Sequence, residues 1–296
     1  MVDIINLTKY YDRFIALDNV NLHIDKGEIF GFVGPNGAGK TTSIKMMVGL
    51  QSLSGGSIKI FGYDIRKDFT KAIRQVGAIV ENPDMYMYLT GYENLKIAAS
   101  FYQIDASRID EVVRMVGLEG RIHEKVKNYS LGMRQRLGIA ASILHHPKLL
   151  ILDEPLNGLD PEGIRELKDI LLHLAHEDKM AIIVSSHILS ELESFCNRVC
   201  IFSRGHVLKN ATIEEIKKIT EKEVYQLEVS STKLDSILSS YLVIDEAHIE
   251  LSSTKENIVN ILKALLLNDV LVYEVKRKVL GLEDVFLKVM EASHDF

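Results

Sequence analysis

The spacing of apolar positions along the chain changes several times, and each change predicts a different element. Over residues 4–24 it predicts two extended segments around a polar turn, and over 28–33 a short apolar strand running into glycines. Behind those glycines Ile44, Met47 and Val48 recur at helical spacing, so the local order is strand, glycine loop, helix. Residues 75–80 read as a further strand, and 91–102 and 108–116 as helices. Leu137, Ala140, Ala141 and Leu144 form one face of a third helix over 137–144, which Pro147 ends. Residues 149–152 and 181–184 are unbroken apolar runs of strand length, the pattern of central strands covered by helices on both faces. Together these alternations predict an α/β main domain.

After the Arg204-Gly205 turn the texture shifts, through a polar helix over 214–218, into a stretch with no glycine before Gly281. We expect a domain boundary near 215, giving a main domain of 1–214 and a small one of 215–296. Segments 224–229, 234–238, 242–251, 258–267, 270–275 and 282–290 read in turn as strand and helix, which predicts a small α+β domain. Its histidines, His248 and His294, stand alone, with no catalytic constellation around them.

The 296 residues fit one domain of roughly 200 residues plus a smaller one. A formal charge of -6 supplies no general electrostatic reason to bind nucleic acid or an anionic lipid surface. The longest apolar runs fall far short of the roughly 20 residues of a membrane-spanning helix, and residues 1–10 lack the apolar core of an export signal. A cytoplasmic location is therefore expected. Cys196 and Cys200, four apart, read as two buried thiols in a reducing compartment rather than a redox pair or half a metal site.

Two segments carry chemistry on their own. Gly34-Pro35-Asn36-Gly37-Ala38-Gly39-Lys40-Thr41-Thr42 has the phosphate-loop pattern: glycines let backbone N–H groups turn inward around an anion, and Lys40 reaches the β- and γ-phosphates. Thr41 is placed to ligate Mg²⁺, and the helix behind adds its positive end. The apolar strand 149–152 then ends in two carboxylates, where parallel sheets present their ligand-binding groups. Asp153 suits a Mg²⁺ ligand, and Glu154 a base that orients or deprotonates the attacking water.

Between these segments Tyr129-Ser130-Leu131-Gly132-Met133 stands immediately before a helix, and it resembles the signature sequence of ABC ATPases. Ser130 and Gly132 match the family pattern; Tyr129, Leu131 and Met133 depart from it. In the family's order, Asp160 in Asn157-Gly158-Leu159-Asp160 resembles the D-loop aspartate and His187 the switch histidine. Tyr11 either packs in the core or is the aromatic that stacks on adenine. Over residues 4–210 the resemblance implies a P-loop fold with a mixed sheet core and a helical subdomain at about 82–145.

What the resemblance implies for mechanism is a head-to-tail dimer, with a second copy or a homologous ATPase subunit. Ser130, Leu131, Gly132 and Met133 of one subunit would cap ATP held by the other. Glu81 occupies the position of the family's Q-loop glutamine, where its carboxylate is a further candidate for Mg²⁺ and adds charge near Asp153 and Glu154. Glu81 and the variant signature together resemble the subgroup that exports bacitracin or lantibiotic-type peptides, and the ending Leu282-Glu283-Asp284-Val285-Phe286 resembles that group and related drug exporters. The expectation is an ATPase peripheral to the cytoplasmic face of the cell membrane, bound to an integral membrane permease that receives contact near 84–89. Nucleic acid is not expected as a partner. The alternative is a soluble ABC ATPase acting on ribosomes or DNA; such proteins carry two cassettes or long coiled-coil insertions, and neither pattern occurs here.

Overall fold

The computed structural model describes residues 1–220, 223–234, 237–238 and 240–278. By contact the chain divides into two units, Met1–Thr212 and Ile213–Phe296.

The first unit is built on two sheets. In one, Val2–Tyr11 pairs antiparallel with Phe14–Ile24 on one side and Gly55–Ile60 on the other, with Tyr63–Asp64 at the edge. The other has six strands in the order His206–Thr212, Arg198–Ser203, Ile29–Val33, Ala181–Ser186, Leu149–Leu152, Val76–Ile79. Its five inner and far strands run parallel, and His206–Thr212 lies antiparallel at one edge, so the core sheet is mixed.

Helix Lys40–Met47 packs into the main core with side chains of both sheets. That explains why its apolar residues are not confined to one stripe: Ile44, Met46 and Met47 are all fully buried. Phe32 meets Phe30 edge-on at 5.8 Å between centroids and Phe202 at 5.0 Å. Each large apolar side chain buried this way contributes about 1.5–3 kcal/mol over exposure. Helix Pro161–His176, absent from the sequence expectations, buries Leu167, Leu171 and Leu174 at helical spacing; Asp160 caps it and Pro161 opens it.

Helices Gly91–Tyr102, Ala106–Met115 and Leu131–Ile143 pack on one another. A capping box starts the first: Thr90 Oγ1 accepts from the Glu93 N–H at 3.1 Å and the Thr90 N–H donates to Glu93 Oε2 at 2.7 Å. The third helix, expected over 137–144, begins six residues earlier. Ser130 is its N-cap, accepting from the Met133 N–H at 3.2 Å, so Gly132 and Met133 lie inside the first turn. It ends at Ile143, within one residue of the expectation, and the buried Arg108 guanidinium donates to the terminal carbonyls of Ile143 (3.0 Å) and Leu144 (3.3 Å).

The second unit is α+β. Its antiparallel sheet runs Leu242–Val243, His248–Ser253, Glu223–Val229, Val272–Lys278, and helix Lys255–Leu267 joins Leu227, Ile249 and Leu251 in its core. The single strand expected over 242–251 is instead a hairpin. Asp245 Oδ1 accepts from the N–H groups of Ala247 and His248, both at 2.9 Å, and turns the chain back. At 234–238 no helix is assigned to the described residues; Leu234 O accepts from Ile237 and Leu238, a single turn, and 235 and 236 lie outside them. The helix expected over 282–290 and His294 also lie outside the described residues. His248 pairs with Asp245, its neighbour in the turn.

Candidate active site

Strand register puts the chemistry-bearing segments side by side. Val33 pairs with Ser186, Leu152 with Val184, and Ile79 with Leu152. The chain therefore leaves one edge of the sheet at Gly34, at Asp153, at His187 and just before Glu81, all at the C-terminal ends of parallel strands.

The phosphate loop is built on close backbone approaches. Ala38 N–H donates to Pro35 O at 3.2 Å, and the Gly205 N–H, in the hairpin tip formed with Arg204, donates to Ala38 O at 3.0 Å. Gly39 adopts φ 110, and a Cβ there would lie 2.6 Å from Leu17 Cδ2. At Gly34 a Cβ would lie 2.5 Å from the Phe202 carbonyl oxygen, so neither position tolerates a side chain. Pro35, Asn36 and Gly37 are exposed, while Thr41 and Thr42 sit half-buried in the first helical turn. Lys40 is buried, donates to the carbonyls of Gly34 and Pro35, and lies 3.4 Å from Glu154 Oε1.

Asp153 is only 4% exposed. Its Oδ1 accepts from the Ser185 hydroxyl at 2.6 Å, and that same hydroxyl accepts from the Glu154 N–H at 2.8 Å. Glu154 adopts a left-handed φ of 51, which costs a non-glycine residue about 1–3 kcal/mol and persists only where its surroundings impose it. Here they do: beyond the Ser185 bond, Glu154 Oε2 lies 2.9 Å from His187 Nδ1, while Oε1 faces Lys40. Ser186 fixes the turn carrying His187 by accepting from Ile188 N–H (3.0 Å) and donating to Glu191 (2.6 Å).

Glu81, also at positive φ, forms an ion pair with Lys45 at 2.8 Å. The Lys45 ammonium holds the Glu81 carboxyl below the usual carboxylate range, and the same bond raises Lys45, helped by the charge of Asp153 nearby. Tyr11 is 41% exposed, its hydroxyl donating to Gln51 at 2.6 Å and its ring 4.9 Å from the Lys9 ammonium. Core packing, one of the two expectations for Tyr11, is thereby excluded.

Ser130, Leu131, Gly132, Met133 and Asp160 form a second group. Asp160 caps its helix through the Gly163 N–H at 3.1 Å. A Cβ on Gly132 would touch Gly163 Cα at 3.8 Å, and Leu131 lies against Gly158, so two helix N-termini stand side by side. Ser130 is exposed at this junction.

The family described as ABC transporter matches residues 17–157. An uncharacterized ABC transporter ATP-binding protein, YhcH of Bacillus subtilis (strain 168), is 45% identical over 292 residues, 98% of this chain and 95% of its own. The chain belongs to the ABC transporter ATP-binding proteins. The bacitracin transport ATP-binding protein BcrA of Enterococcus faecalis is 38% identical, covering 96% of this chain and 94% of its own. A solved dimeric ATP-binding cassette, MJ0796 in a post-hydrolysis state with ADP and Pi, superposes with a TM-score of 0.65 at 26% identity, over 72% of this chain and 99% of its own. This ABC ATPase thus carries the family's ATP-binding and ATP-hydrolysing domain.

One departure of the ABC ATPase from the family signature has a local cause. Tyr129 is buried, and its hydroxyl donates to Arg121 O at 2.8 Å. That hydroxyl would lie 2.5 Å from a Cβ on Gly91, so the tyrosine and the glycine opening helix Gly91–Tyr102 fit as a pair. Sequence reasoning missed Ser185 and Lys45 as parts of the site. Ser185 is one of two hydroxyls that end an otherwise apolar strand, with nothing local to set it apart from Ser186, and Lys45 carried no signal. The two cysteines are buried and unbonded, and burial pushes both thiols well above their ordinary range, which leaves them inert.

Proposed function

We propose that this ABC ATPase hydrolyses Mg²⁺-ATP as half of a head-to-tail dimer and powers export of a peptide antibiotic or similar drug through a separate membrane permease. The observation that carries the reading is the line of contacts Lys40, Glu154, His187 with buried Asp153 beside it. A base, its orienting imidazole and a phosphate-binding ammonium converge at one edge of the sheet. The glycines of the loop from Gly34 to Gly39 turn backbone N–H groups toward the phosphates, Lys40 and Thr42 flank them, and Tyr11 stacks on adenine. Glu154 accepts the proton of the attacking water, and His187 holds that carboxylate in place.

Mg²⁺ characteristically takes one or two carboxylates together with phosphate oxygens and water. Asp153, buried with one oxygen engaged by Ser185, and the Thr41 hydroxyl in the first helical turn match that donor set. They would hold the ion where it neutralises charge developing on the γ-phosphate. Glu81 acts beside them through its charge, with its Oε1 engaged by Lys45. Glu81→Gln is expected to raise the Mg²⁺ concentration for half-maximal hydrolysis by about threefold, the scale of an exposed charge pair. An unchanged Mg²⁺ curve would remove Glu81 from the metal's surroundings.

The pairing of Ser130 and Gly132 with the Asp160 turn supports a dimer in which both segments face the second subunit's ATP. For the permease, a groove of about 620 Å³ runs beside the helical subdomain of residues 82–145. Met85, Tyr86, Phe101 and Tyr102 line it, and Phe101 is 80% exposed. Apolar and aromatic rims of this kind suit an amphipathic segment from a partner. No helix among the described residues is long and apolar enough to cross a membrane. The peptide-antibiotic cargo rests on Glu81, the variant signature and the similarity to BcrA. Affinity isolation from detergent-solubilised membranes tests the reading: a multi-spanning protein should accompany the ATPase at comparable abundance, and loss of the pair should sensitise cells to bacitracin. Ribosomes or DNA in its place would reassign the ATPase to non-transport work.

A further inference from the structure

We infer that Ser185 is the positioning residue of the hydrolytic centre, one hydroxyl that sets the orientation of both carboxylates at once. The inference rests on the roles proposed above for Asp153 and Glu154. Ser185 is completely buried, in the strand next to the one that ends in those acids. The register Leu152 to Val184 brings it beside Asp153 with no intervening side chain. Its hydrogen goes to Asp153 Oδ1 at 2.6 Å, and its lone pair takes the Glu154 N–H at 2.8 Å. Donor and acceptor roles from one small atom are available only to a hydroxyl among side chains of this size.

Each bond restricts a different freedom. The bond to Oδ1 fixes rotation of the Asp153 carboxylate and commits one of its oxygens, so the other is the one presented to a metal. The bond from the Glu154 N–H holds a peptide whose residue sits at φ 51, a conformation most side chains avoid. Without it the backbone is released toward ordinary angles, and the Glu154 carboxylate swings from its contacts with His187 and Lys40. A β-strand residue distant in sequence thereby couples metal orientation to base orientation.

Threonine and valine have nearly the same shape and differ by the hydroxyl, which makes Ser185→Thr and Ser185→Val the informative pair. Steady-state hydrolysis would be measured against ATP and against Mg²⁺, with Mg²⁺-free ATP binding and thermal melts as checks on folding. Ser185→Val should lower kcat and raise the Mg²⁺ concentration for half-maximal rate, each by about tenfold, with Mg²⁺-free ATP binding unchanged. Ser185→Thr should stay within about threefold of the parent, because the hydroxyl is retained. Equal behaviour of the two variants, whether both active or both impaired, overturns the inference. Should the added bulk unfold both, Ser185→Ala removes only the hydroxyl and carries the same expectation; parental Mg²⁺ dependence and kcat there overturn it. Glu154→Gln in the same series separates the two levels. If it is slow while Ser185→Val matches the parent, only the role of Ser185 falls; if it hydrolyses at the parental rate, the assignment of the centre itself falls.

Discussion

Replacing Glu154 by glutamine is expected to slow ATP hydrolysis by about a thousandfold while leaving ATP binding in place. The substitution keeps size and shape, so the left-handed backbone at 154 and its bond to Ser185 survive. What disappears is the basic oxygen that would take the proton from water. Its partners, His187 at 2.9 Å and Lys40 at 3.4 Å, remain to hold an amide in the same place. The loop from Gly34 to Thr42, proposed to bind the phosphates, is untouched. In the proposed ATP-joined dimer the two subunits therefore lose their means of separation, and the variant should elute as a dimer with Mg²⁺-ATP and as a monomer without nucleotide. Hydrolysis within a few-fold of the parent would show that another group activates the water.

The second large effect concerns stability. Gly77 lies in strand Val76–Ile79, where a Cβ would sit 2.2 Å from the backbone carbonyl oxygen of Ser142. Backbone cannot rotate aside as a flexible side chain can, so Gly77→Ala must push the strand from the carbonyl at 142, in the last turn of the Ser130-capped helix Leu131–Ile143. The expected cost is about 3 kcal/mol, equivalent to a melting temperature lower by about 6–12 °C. Gly120→Ala is the control: nothing lies within 4 Å of its Cβ position, and its melt should match the parent closely. Equal melting of the two variants would mean that strand and helix can slide apart freely. The consequence reaches function, because Glu81 and the Asp153 backbone, hydrogen-bonded to Ile79 O at 2.9 Å, both hang from this strand.

Much of the centre was legible because its parts are contiguous. The phosphate loop is nine consecutive residues, and the carboxylate pair follows its strand without a gap. Glycines at 34 and 39 are dictated by backbone geometry that any chain must obey there, so the pattern could be read before the fold was seen. The α/β core and the small α+β unit followed from apolar runs and from the change of texture after Gly205. Where periodicity misled, a polar side chain had intervened. Ser130 starts a helix before its apolar stripe begins, and Asp245 folds an expected strand into a hairpin.

The sequence by itself determined the local pattern: which loop has the glycines and lysine of a phosphate loop, which strand ends in acids, which residue types stand ready. Only the tertiary structure decided who meets whom. Lys45 and Glu81 are 36 positions apart, Glu154 and His187 33, Asp153 and Ser185 32. Those meetings depend on strand order and on a register set by side chains packed on both faces of the sheet, and a one-residue slip would turn Ser185 to the opposite face. No local pattern encodes that choice. It is made by the summed burial of the core, which is why a buried hydroxyl in an ordinary strand could be recognised as part of the centre only after the strands were in place.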